Sequence, residues 1–441
     1  MKVLKYGTKG PQVEMLQLAL IRAGFDVQGE NSGIDGLFGN STLNAVKRFQ
    51  RANSLSSDGI AGSATWKKLV PYLTGYVKYR VERNDTFYKI AKKFGTTSQA
   101  ISIANPDIVP LNLPVGALIN VPIGFKNGDN YISYGKISYT WELLTLILEG
   151  IKVRYPFIDK FDIGQSVLGR DLYCISIGKG NTNVMYNASH HANEWITTPV
   201  LLRYFEKLTR AYVYGGSVGG YNAGEIYDLC KIFIIPMVNP DGVDLVNGYF
   251  EKDNPIYVKA KSLSENYPNI DFVSGWKANI NGVDLNLNYP AGWDMARDIK
   301  FAQGYTVPGP RDYVGPFALS EPETSAMTEF TKRNNFKLTL SYHTQGKVIF
   351  WKYLDFQPAD SFEIGKRLAD VSGYSLEITP NESGYAGYKD WFIQDFNRPG
   401  YTIECGLGVN PLPISQFDEI YSDNEPLLSV AAIEAGKNTP F

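Results

Sequence analysis

The sequence predicts a multidomain protein: a small all-α bundle over residues 1–74, an α+β module with the order βααβ over 76–124, and an α/β domain over 130–441. Three observations support this division. Apolar residues such as Val13, Leu16 and Leu20 recur at helical spacing near the start of the chain. The pattern of apolar residues over 76–124 then predicts a strand, two helices and a second strand. From about residue 130 onward, apolar strand-like runs alternate with longer amphipathic segments, which indicates a largely buried sheet.

Charge and composition exclude several classes of protein. The chain of 441 residues has 43 Lys and Arg against 45 Asp and Glu, and this balance gives no basic excess for nucleic acid or a membrane surface. The first residues lack the apolar core of a signal peptide, and no stretch has the length of a spanning helix, so we expect a soluble chain. The three cysteines, an odd number, argue against a disulfide framework.

The N-terminal segment contains a short internal sequence repeat. Asp35-Gly36 and Asp58-Gly59 each suit a tight turn, and Ser41 and Ser63 are placed to cap helices that start near residues 41 and 63. With its regularly spaced apolar residues, the segment resembles the peptidoglycan-binding domain of bacterial wall hydrolases.

The second segment predicts strands at 79–81 and 118–122 around helices at 86–94 and 98–104, with Asp85 and Ser98 as helix caps. Asn105-Pro106 and Gly116 complete a pattern that resembles a LysM module. Asn84 stands where that family usually has glycine. The resemblance implies binding to the N-acetylglucosamine-containing glycans of cell walls.

The third segment contains the residues that point to chemistry. His191 and Glu194 lie three residues apart just after the apolar run 184–187, and His343 closes the run 338–342. Two histidines and one glutamate leave a coordination position of Zn²⁺ open for water, which is typical of catalytic zinc. His-x-x-Glu alone also fits an ordinary surface turn, so further support is needed.

That support comes from four segments that punctuate strand ends in order: Asn239-Pro240-Asp241-Gly242, Trp276-Lys277-Ala278-Asn279, residues 282–290 and residues 401–406. With His191, Glu194 and His343 they resemble the zinc carboxypeptidase (M14) family over residues 130–436. The resemblance implies a mixed sheet flanked by helices and one Zn²⁺ in the catalytic domain, held by those three residues.

The same resemblance makes Glu404 the general base. It also places Lys277 where the family has an arginine that stabilises the oxyanion, although a solvated surface lysine remains the alternative for Lys277. His190 has no family role, and we expect it to pack or form hydrogen bonds rather than bind metal. Cys405 is more typical of a small buried strand residue than of a nucleophile.

Two departures from the carboxypeptidase pattern concern substrate recognition. The family's Asn-Arg pair, which clamps a C-terminal carboxylate, reads Asn286-Leu287, and a second family arginine is Asn193. Because leucine donates no hydrogen bond, ordinary exopeptidase recognition should be poor. With two wall-binding modules, the chain then resembles the γ-D-glutamyl-L-diamino acid endopeptidases of spore-forming bacteria, which cut the γ-D-glutamyl–meso-diaminopimelate bond of peptidoglycan stem peptides. A carboxypeptidase that trims muropeptides and a noncatalytic wall-binding protein are the alternatives.

Further expectations concern the pocket and the partners. Tyr385, with Tyr388 in reserve, is predicted to cap the substrate pocket, and Lys389 is predicted to pair with a carboxylate of diaminopimelate. The expected partners are peptidoglycan glycan strands and stem peptides, with no nucleic acid and no membrane. The expected location is the cytoplasm of a sporulating mother cell, or the cell wall or spore.

Overall fold

The chain divides into two units, Met1–Asp159 and Lys160–Phe441. The computed structural model describes residues 1–27, 33–128 and 131–437. The predicted domain boundary at residue 130 and the predicted domain end at residue 441 lie outside these residues. Within them, no helix combines the length and the apolar character that crossing a membrane requires.

The first unit contains short helices and one two-stranded sheet. Its helices are α1 (Pro11–Arg22), α2 (Asn40–Ala52), α3 (Ser63–Leu69), α4 (Pro71–Thr74), α5 (Phe87–Phe94), α6 (Ser98–Ala104) and α7 (Trp141–Arg154), and its strands are β1 (Tyr76–Arg80) and β2 (Leu118–Pro122). Strands β1 and β2 pair antiparallel and enclose α5 and α6 in sequence, so the predicted bundle and βααβ module are both present.

The internal repeat predicted in the helical bundle corresponds to one arrangement of hydrogen bonds that occurs twice. The Gln17 side chain donates to Asp35 Oδ1 (2.7 Å) and Thr42 Oγ1 (3.0 Å). Gln50 donates in the same way to Asp58 Oδ1 (2.8 Å) and to the hydroxyl of Thr65 (3.1 Å). Each buried glutamine therefore ties an Asp-Gly turn to the helix that follows it.

The predicted helix caps are wrong by one or two positions. Gly39 and Gly62, in extended backbone and without a side-chain hydrogen bond, precede α2 and α3 in place of capping by Ser41 and Ser63. Thr86 and Thr97 cap α5 and α6, where Asp85 and Ser98 were expected. Asp85 instead accepts hydrogen bonds from the Glu82 backbone (2.7 Å) and the Tyr79 hydroxyl (2.9 Å), which fixes the preceding turn.

The second unit is built on a large sheet. Its strands are β3 (Asp159–Gln165), β4 (Asp171–Ile177), β5 (Thr182–Ala188), β6 (Ser217–Val218), β7 (Tyr221–Asn222), β8 (Cys230–Ile235), β9 (Leu338–Thr344), β10 (Val348–Phe350), β11 (Ser375–Glu377) and β12 (Gly400–Cys405). Its helices are α8 (Thr197–Tyr214), α9 (Ala223–Leu229), α10 (Pro240–Val246), α11 (Pro255–Ser264), α12 (Trp293–Ala302), α13 (Pro322–Asn334), α14 (Ser361–Ser372), α15 (Tyr388–Phe396) and α16 (Phe417–Gly436).

The sheet has eight strands in the order β11-β10-β12-β9-β5-β8-β4-β3. Its central strands β12, β9, β5 and β8 run parallel. Strand β10 pairs antiparallel with β12 and parallel with β11, and β4 pairs antiparallel with β8. The sheet is therefore mixed, as the resemblance implied. Strands β6 and β7 are not part of this sheet and pair with each other as a small hairpin.

Helices cover both faces of this sheet because successive strand residues point to opposite sides. Met185 of β5 belongs to a buried cluster with Met327 of α13 and Trp391 of α15. The next residue, Tyr186, donates a hydrogen bond to the Leu428 carbonyl of α16 (2.8 Å). Both faces of β5 are thus buried, and its side chains leave the core only at its ends.

Candidate metal centre and active site

The predicted metal ligands and base come from the carboxyl ends of three adjacent parallel strands. His343 lies near the end of β9, and Glu404 lies directly opposite it in β12. His191 follows three residues after β5 ends at Ala188. Since parallel strands end at the same edge of a sheet, these side chains from distant parts of the chain converge there.

The structure brings His191, Glu194 and His343 together. One oxygen of Glu194 lies 2.9 Å from His191 Nδ1, and the other lies 2.9 Å from His343 Nδ1. The two Nδ1 atoms are 3.2 Å apart, and the donor atoms of all three residues lie within 4.8 Å of one another. Glu194 and His343 are each only 1% exposed, so the cluster is shielded from bulk water.

A short turn explains how the first two residues meet. Ala192–Glu194 form one turn of 3₁₀ helix directly after His191. Residues three apart eclipse one another in such a turn, so the imidazole and the carboxylate face the same way. The Ala192 backbone N–H donates to the Lys277 carbonyl (3.0 Å), which fixes the turn to the segment that carries Lys277.

Asp284 orients His191 from behind. Its Oδ1 lies 3.0 Å from His191 Nε2 and also accepts from the Asn286 backbone (3.2 Å). A carboxylate on the remote ring nitrogen holds the proton there and leaves the other nitrogen free to bind metal. Burial alone acts to lower the pKa of His191, but the carboxylates of Glu194 and Asp284 outweigh it and raise the pKa to about 9.

This donor set fits Zn²⁺. Two imidazole nitrogens and one carboxylate are the ligand types of catalytic zinc sites, and they leave a position for water. Both histidines present the same atom, Nδ1, to the carboxylate of Glu194. The carboxylate–histidine pair of Asp284 and His191 is the support that zinc-binding histidines usually have.

Glu404 lines a cavity of about 550 Å³ together with Lys277, Asn193 and Arg311. It is half-buried, and in the part of the chain that the structure describes its carboxylate forms no hydrogen bond or ion pair. Burial, reinforced by the negative charge of Glu194, raises the pKa of Glu404 to about 8. A carboxyl group without internal partners at a cavity wall is free to exchange a proton with a bound molecule.

Lys277 joins the ligand cluster to the cavity. Its Nζ lies 3.0 Å from Glu194 Oε1, and the side chain is 18% exposed. Burial acts to lower the pKa of Lys277, but the Glu194 carboxylate outweighs it and the pKa is raised. The lysine therefore carries its positive charge beside the proposed metal site rather than in open solvent.

The predicted substrate-binding residues fall into two groups. Asn193 lines the cavity, with its Nδ2 donating to the Ser274 carbonyl (2.9 Å). Leu287 is buried in a small apolar cluster against which the ring of Tyr385 packs. Asn286 Oδ1 accepts a hydrogen bond from the Tyr388 backbone N–H (3.0 Å), which ties the Asn286 segment to the start of α15.

Tyr388 and Lys389 are buried. The Tyr388 hydroxyl lies 2.8 Å from Thr331 Oγ1 in the core. The Lys389 ammonium contacts Asp390 Oδ1 (2.7 Å), the Lys352 carbonyl (2.7 Å) and a threonine hydroxyl (3.1 Å). All three ammonium hydrogens of Lys389 therefore have acceptors within the protein. Tyr385, in contrast to Tyr388, is only half-buried.

The other polar candidates lie in the core. His190 is fully buried, and its Nε2 lies 2.9 Å from the Tyr289 hydroxyl. It is not among the residues of the metal-binding cluster. The three cysteines are buried and form no disulfide in the described part of the chain, and Cys405 is the last residue of β12.

Three residues near the site escaped the sequence analysis. Asp284 lies in a motif segment, but nothing in the pattern indicated which histidine it would contact. Asn410 donates to Glu194 Oε1 (3.3 Å) from a loop that has no recognisable motif. Arg311 lines the cavity with its Nε donating to Asp312 Oδ2 (2.6 Å), and only the fold brings it there.

The comparisons with known proteins agree with this geometry. The zinc carboxypeptidase profile matches residues 145–426, a peptidoglycan-binding domain profile matches residues 9–69, and the LysM profile matches residues 79–122. The chain therefore belongs to the zinc carboxypeptidase (M14) family of metallopeptidases and also carries a peptidoglycan-binding-type domain and a LysM domain.

Individual relatives show which members of the family this chain is similar to. The chain is 42% identical to γ-D-glutamyl-L-diamino acid endopeptidase 1 of Lysinibacillus sphaericus, over 66% of this chain and 71% of that relative. It is 36% identical to the uncharacterized protein YqgT of Bacillus subtilis (strain 168), over 70% of this chain and 80% of that protein. Among solved structures, carboxypeptidase A of Helicoverpa armigera aligns with a TM-score of 0.54 at 19% identity, covering 70% of this chain and 77% of that one, which supports the fold.

Proposed function

We propose that the protein is a zinc-dependent peptidase of the bacterial cell wall that hydrolyses the γ-D-glutamyl–(L)-meso-diaminopimelate bond of peptidoglycan stem peptides. The observation that carries this proposal is the cluster of His191, Glu194 and His343, with donor atoms within 4.8 Å, beside a cavity lined by Glu404 and Lys277. The name of the relative that is 42% identical supports the choice of bond. The wall-binding profiles support peptidoglycan as the polymer.

His191, Glu194 and His343 would hold a single Zn²⁺. Zinc in such a site supplies a Lewis acid that lowers the pKa of a water molecule to about 7. Asp284 contributes by holding His191 in the tautomer that binds metal, through the 3.0 Å contact to Nε2.

Glu404 acts as the general base. It removes a proton from the attacking water as the new C–O bond forms at the scissile carbonyl, and it returns that proton to the amine nitrogen as the C–N bond breaks. Lys277 stabilises the negative charge that develops on the carbonyl oxygen, since its ammonium stands between Glu194 and the cavity.

Substrate carboxylates need a cation that Leu287 and Asn193 do not supply. We assign that role to Arg311. Its Nε is engaged by Asp312 (2.6 Å), whereas neither terminal nitrogen has a partner among the residues described, and the side chain is 38% exposed at the cavity. A guanidinium held by Nε presents its two terminal nitrogens as a fork that matches a carboxylate.

The remaining substrate contacts are assigned by position. Tyr385, which is half-buried and packs against the cluster that contains Leu287, is our choice for the tyrosine that caps the substrate pocket. Lys389 can bind a diaminopimelate carboxylate only by exchanging one of its three internal acceptors. This exchange would make Lys389 a selective rather than an obligatory contact.

The two modules support a proposal for where the reaction takes place. We propose domains at 1–74 for peptidoglycan binding, 76–124 for LysM and 130–441 for catalysis, with glycan strands and stem peptides as partners. Modules that hold the glycan raise the local concentration of stem peptides around the catalytic domain. We place the protein at the cell wall or spore, or in the mother cell during sporulation.

Mass spectrometry of the products from purified muropeptides, with and without a chelator, tests the proposal. We expect cleavage between D-glutamate and diaminopimelate that the chelator abolishes. Glu404→Gln should retain zinc and lose about 100-fold or more in rate. Release of only a C-terminal residue would indicate a carboxypeptidase, and a substrate blocked at its C-terminus separates the two. Zinc-loaded parent protein without any hydrolysis would indicate a noncatalytic wall-binding protein.

A further inference from the structure

The first unit contains a cleft that the catalytic proposal does not use. Its volume is about 760 Å³, and it opens between the end of the helical bundle and the sheet of the LysM module. The rings of Tyr72, Tyr76 and Phe94 line it. Aromatic faces give a saccharide an apolar surface, and polar groups around them fix its orientation.

The charge of this cleft is strongly one-sided. Six of its lining residues are lysines, and all six are exposed: Lys67, Lys68, Lys78, Lys92, Lys93 and Lys126. In the ranges that the structure describes, none of these ammonium groups forms an ion pair with a carboxylate. The single acidic lining residue is Glu149, whose Oε1 accepts a hydrogen bond from the Tyr76 hydroxyl (2.6 Å). Unpaired lysines that converge on one cleft attract an anion.

Two arginines hold the walls of the cleft in place. The fully buried Arg22 guanidinium donates to the Tyr72 carbonyl (3.2 Å) and stacks 4.2 Å from the centre of the Phe125 ring. Arg154 donates to the carbonyls of Gly75 (3.0 Å) and Ile123 (2.7 Å), and the Ile123 backbone N–H also donates to the Gly75 carbonyl (2.9 Å), which fixes this wall of the cleft. The cleft is therefore formed before a ligand arrives, and binding requires little ordering of the protein.

We propose that this lysine cleft binds the carboxylate-bearing stem peptides of peptidoglycan together with the adjoining sugar, as a second site apart from the catalytic cavity. The profiles on either side of the cleft are those of glycan-binding modules, which bring this polymer to its entrance. The negative groups closest to the sugars of peptidoglycan are the carboxylates of its stem peptides. The inference rests on the proposed function only for the choice of peptidoglycan as the polymer.

The test measures binding of the full chain to insoluble peptidoglycan, in a Glu404→Gln background so that the polymer is not degraded. Lys68→Gln, Lys78→Gln and Lys92→Gln are combined, because they remove charges from three different elements of the cleft. We expect about tenfold weaker binding and a shallower dependence of affinity on salt. A matched control combines Lys252→Gln, Lys259→Gln and Lys261→Gln, which are exposed on the second unit, outside both wall-binding modules and the cleft lining, and it should bind like the parent.

Two further ligands identify the anion. Peptidoglycan with amidated carboxylates should bind the parent as weakly as untreated peptidoglycan binds the cleft variant. Equal binding of both polymers by the parent, or equal loss in the cleft and control variants, would overturn the proposal. Stronger cleft-dependent binding to a glycerol-phosphate polymer would overturn the assignment to carboxylates. Because no hydrolysis is measured, these outcomes are independent of which bond the catalytic domain cuts.

Discussion

Replacing Asp284 with asparagine tests whether the residue behind His191 supports a metal centre. The two side chains have the same shape, so the change removes the charge 3.0 Å from His191 Nε2 without opening a cavity. Loss of such a partner typically weakens metal binding about 10–100-fold, which is about 1.4–2.8 kcal/mol. We expect the zinc dissociation constant of D284N to rise within that range.

Competition between the full-length protein and a chromophoric chelator measures that constant directly. Asp271→Asn is the matched control, because it neutralises an exposed carboxylate that lines the cavity beside the metal site but is not in contact with His191. If D284N and D271N weaken zinc binding equally, the effect is one of overall charge. If D284N binds zinc like the parent, the geometric reasoning about His191 is refuted, whatever happens to catalysis.

Three other predictions follow from buried or cavity-lining charges. Arg311→Gln should lower kcat/KM about 10–100-fold for peptides with free carboxylates and leave kcat/KM for amidated peptides unchanged. The control Arg297→Gln, on the exposed helix α12, should leave kcat/KM for both kinds of peptide unchanged. Equal losses on both kinds of peptide in Arg311→Gln would exclude carboxylate binding by Arg311. Lys389→Leu should raise KM for diaminopimelate peptides but spare lysine-type analogues, and a common loss would reject the assignment. Burial raises the pKa of Glu323 from 4.5 to about 8, so the folded chain keeps a proton that the unfolded chain releases. The free energy of unfolding should then fall by up to about 1.4 kcal/mol per pH unit across that window, and Glu323→Gln should flatten the slope in urea titrations; parallel slopes would contradict this.

Local sequence patterns predicted the elements but not all of their details. The repeated Asp-Gly turns placed α2 and α3 correctly, because a turn and the helix after it depend on neighbouring residues. The caps were misplaced because Ser, Thr and Asp are adjacent in these segments and all suit the role. Thr86 prevails at α5 because Asp85 is engaged by Glu82 and Tyr79. Propensity does not resolve a competition between adjacent residues that specific hydrogen bonds to other groups decide.

The metal cluster was accessible from the sequence for a different reason. His191 and Glu194 lie within one turn, and His343 ends a strand-like run, so each position carries a local signature. Asn410 has no such signature, because it reaches Glu194 only through the packing of a distant loop (3.3 Å). Residues that support a site through tertiary contacts need the fold to be known.

The residues that recognise the substrate are also difficult to predict from sequence alone, because tertiary contacts bring them to the cavity. The absence of arginine at Leu287 and Asn193 suggested a lost carboxylate anchor, yet Arg311 brings a guanidinium to the cavity from another segment. Asp312, with φ of 65°, makes this possible. Its side chain holds Arg311 Nε (2.6 Å) while its backbone N–H donates to Asp284 (3.3 Å). One turn thus connects the proposed substrate anchor to the support of His191, so a change at Asp312 should disturb zinc affinity and carboxylate recognition together.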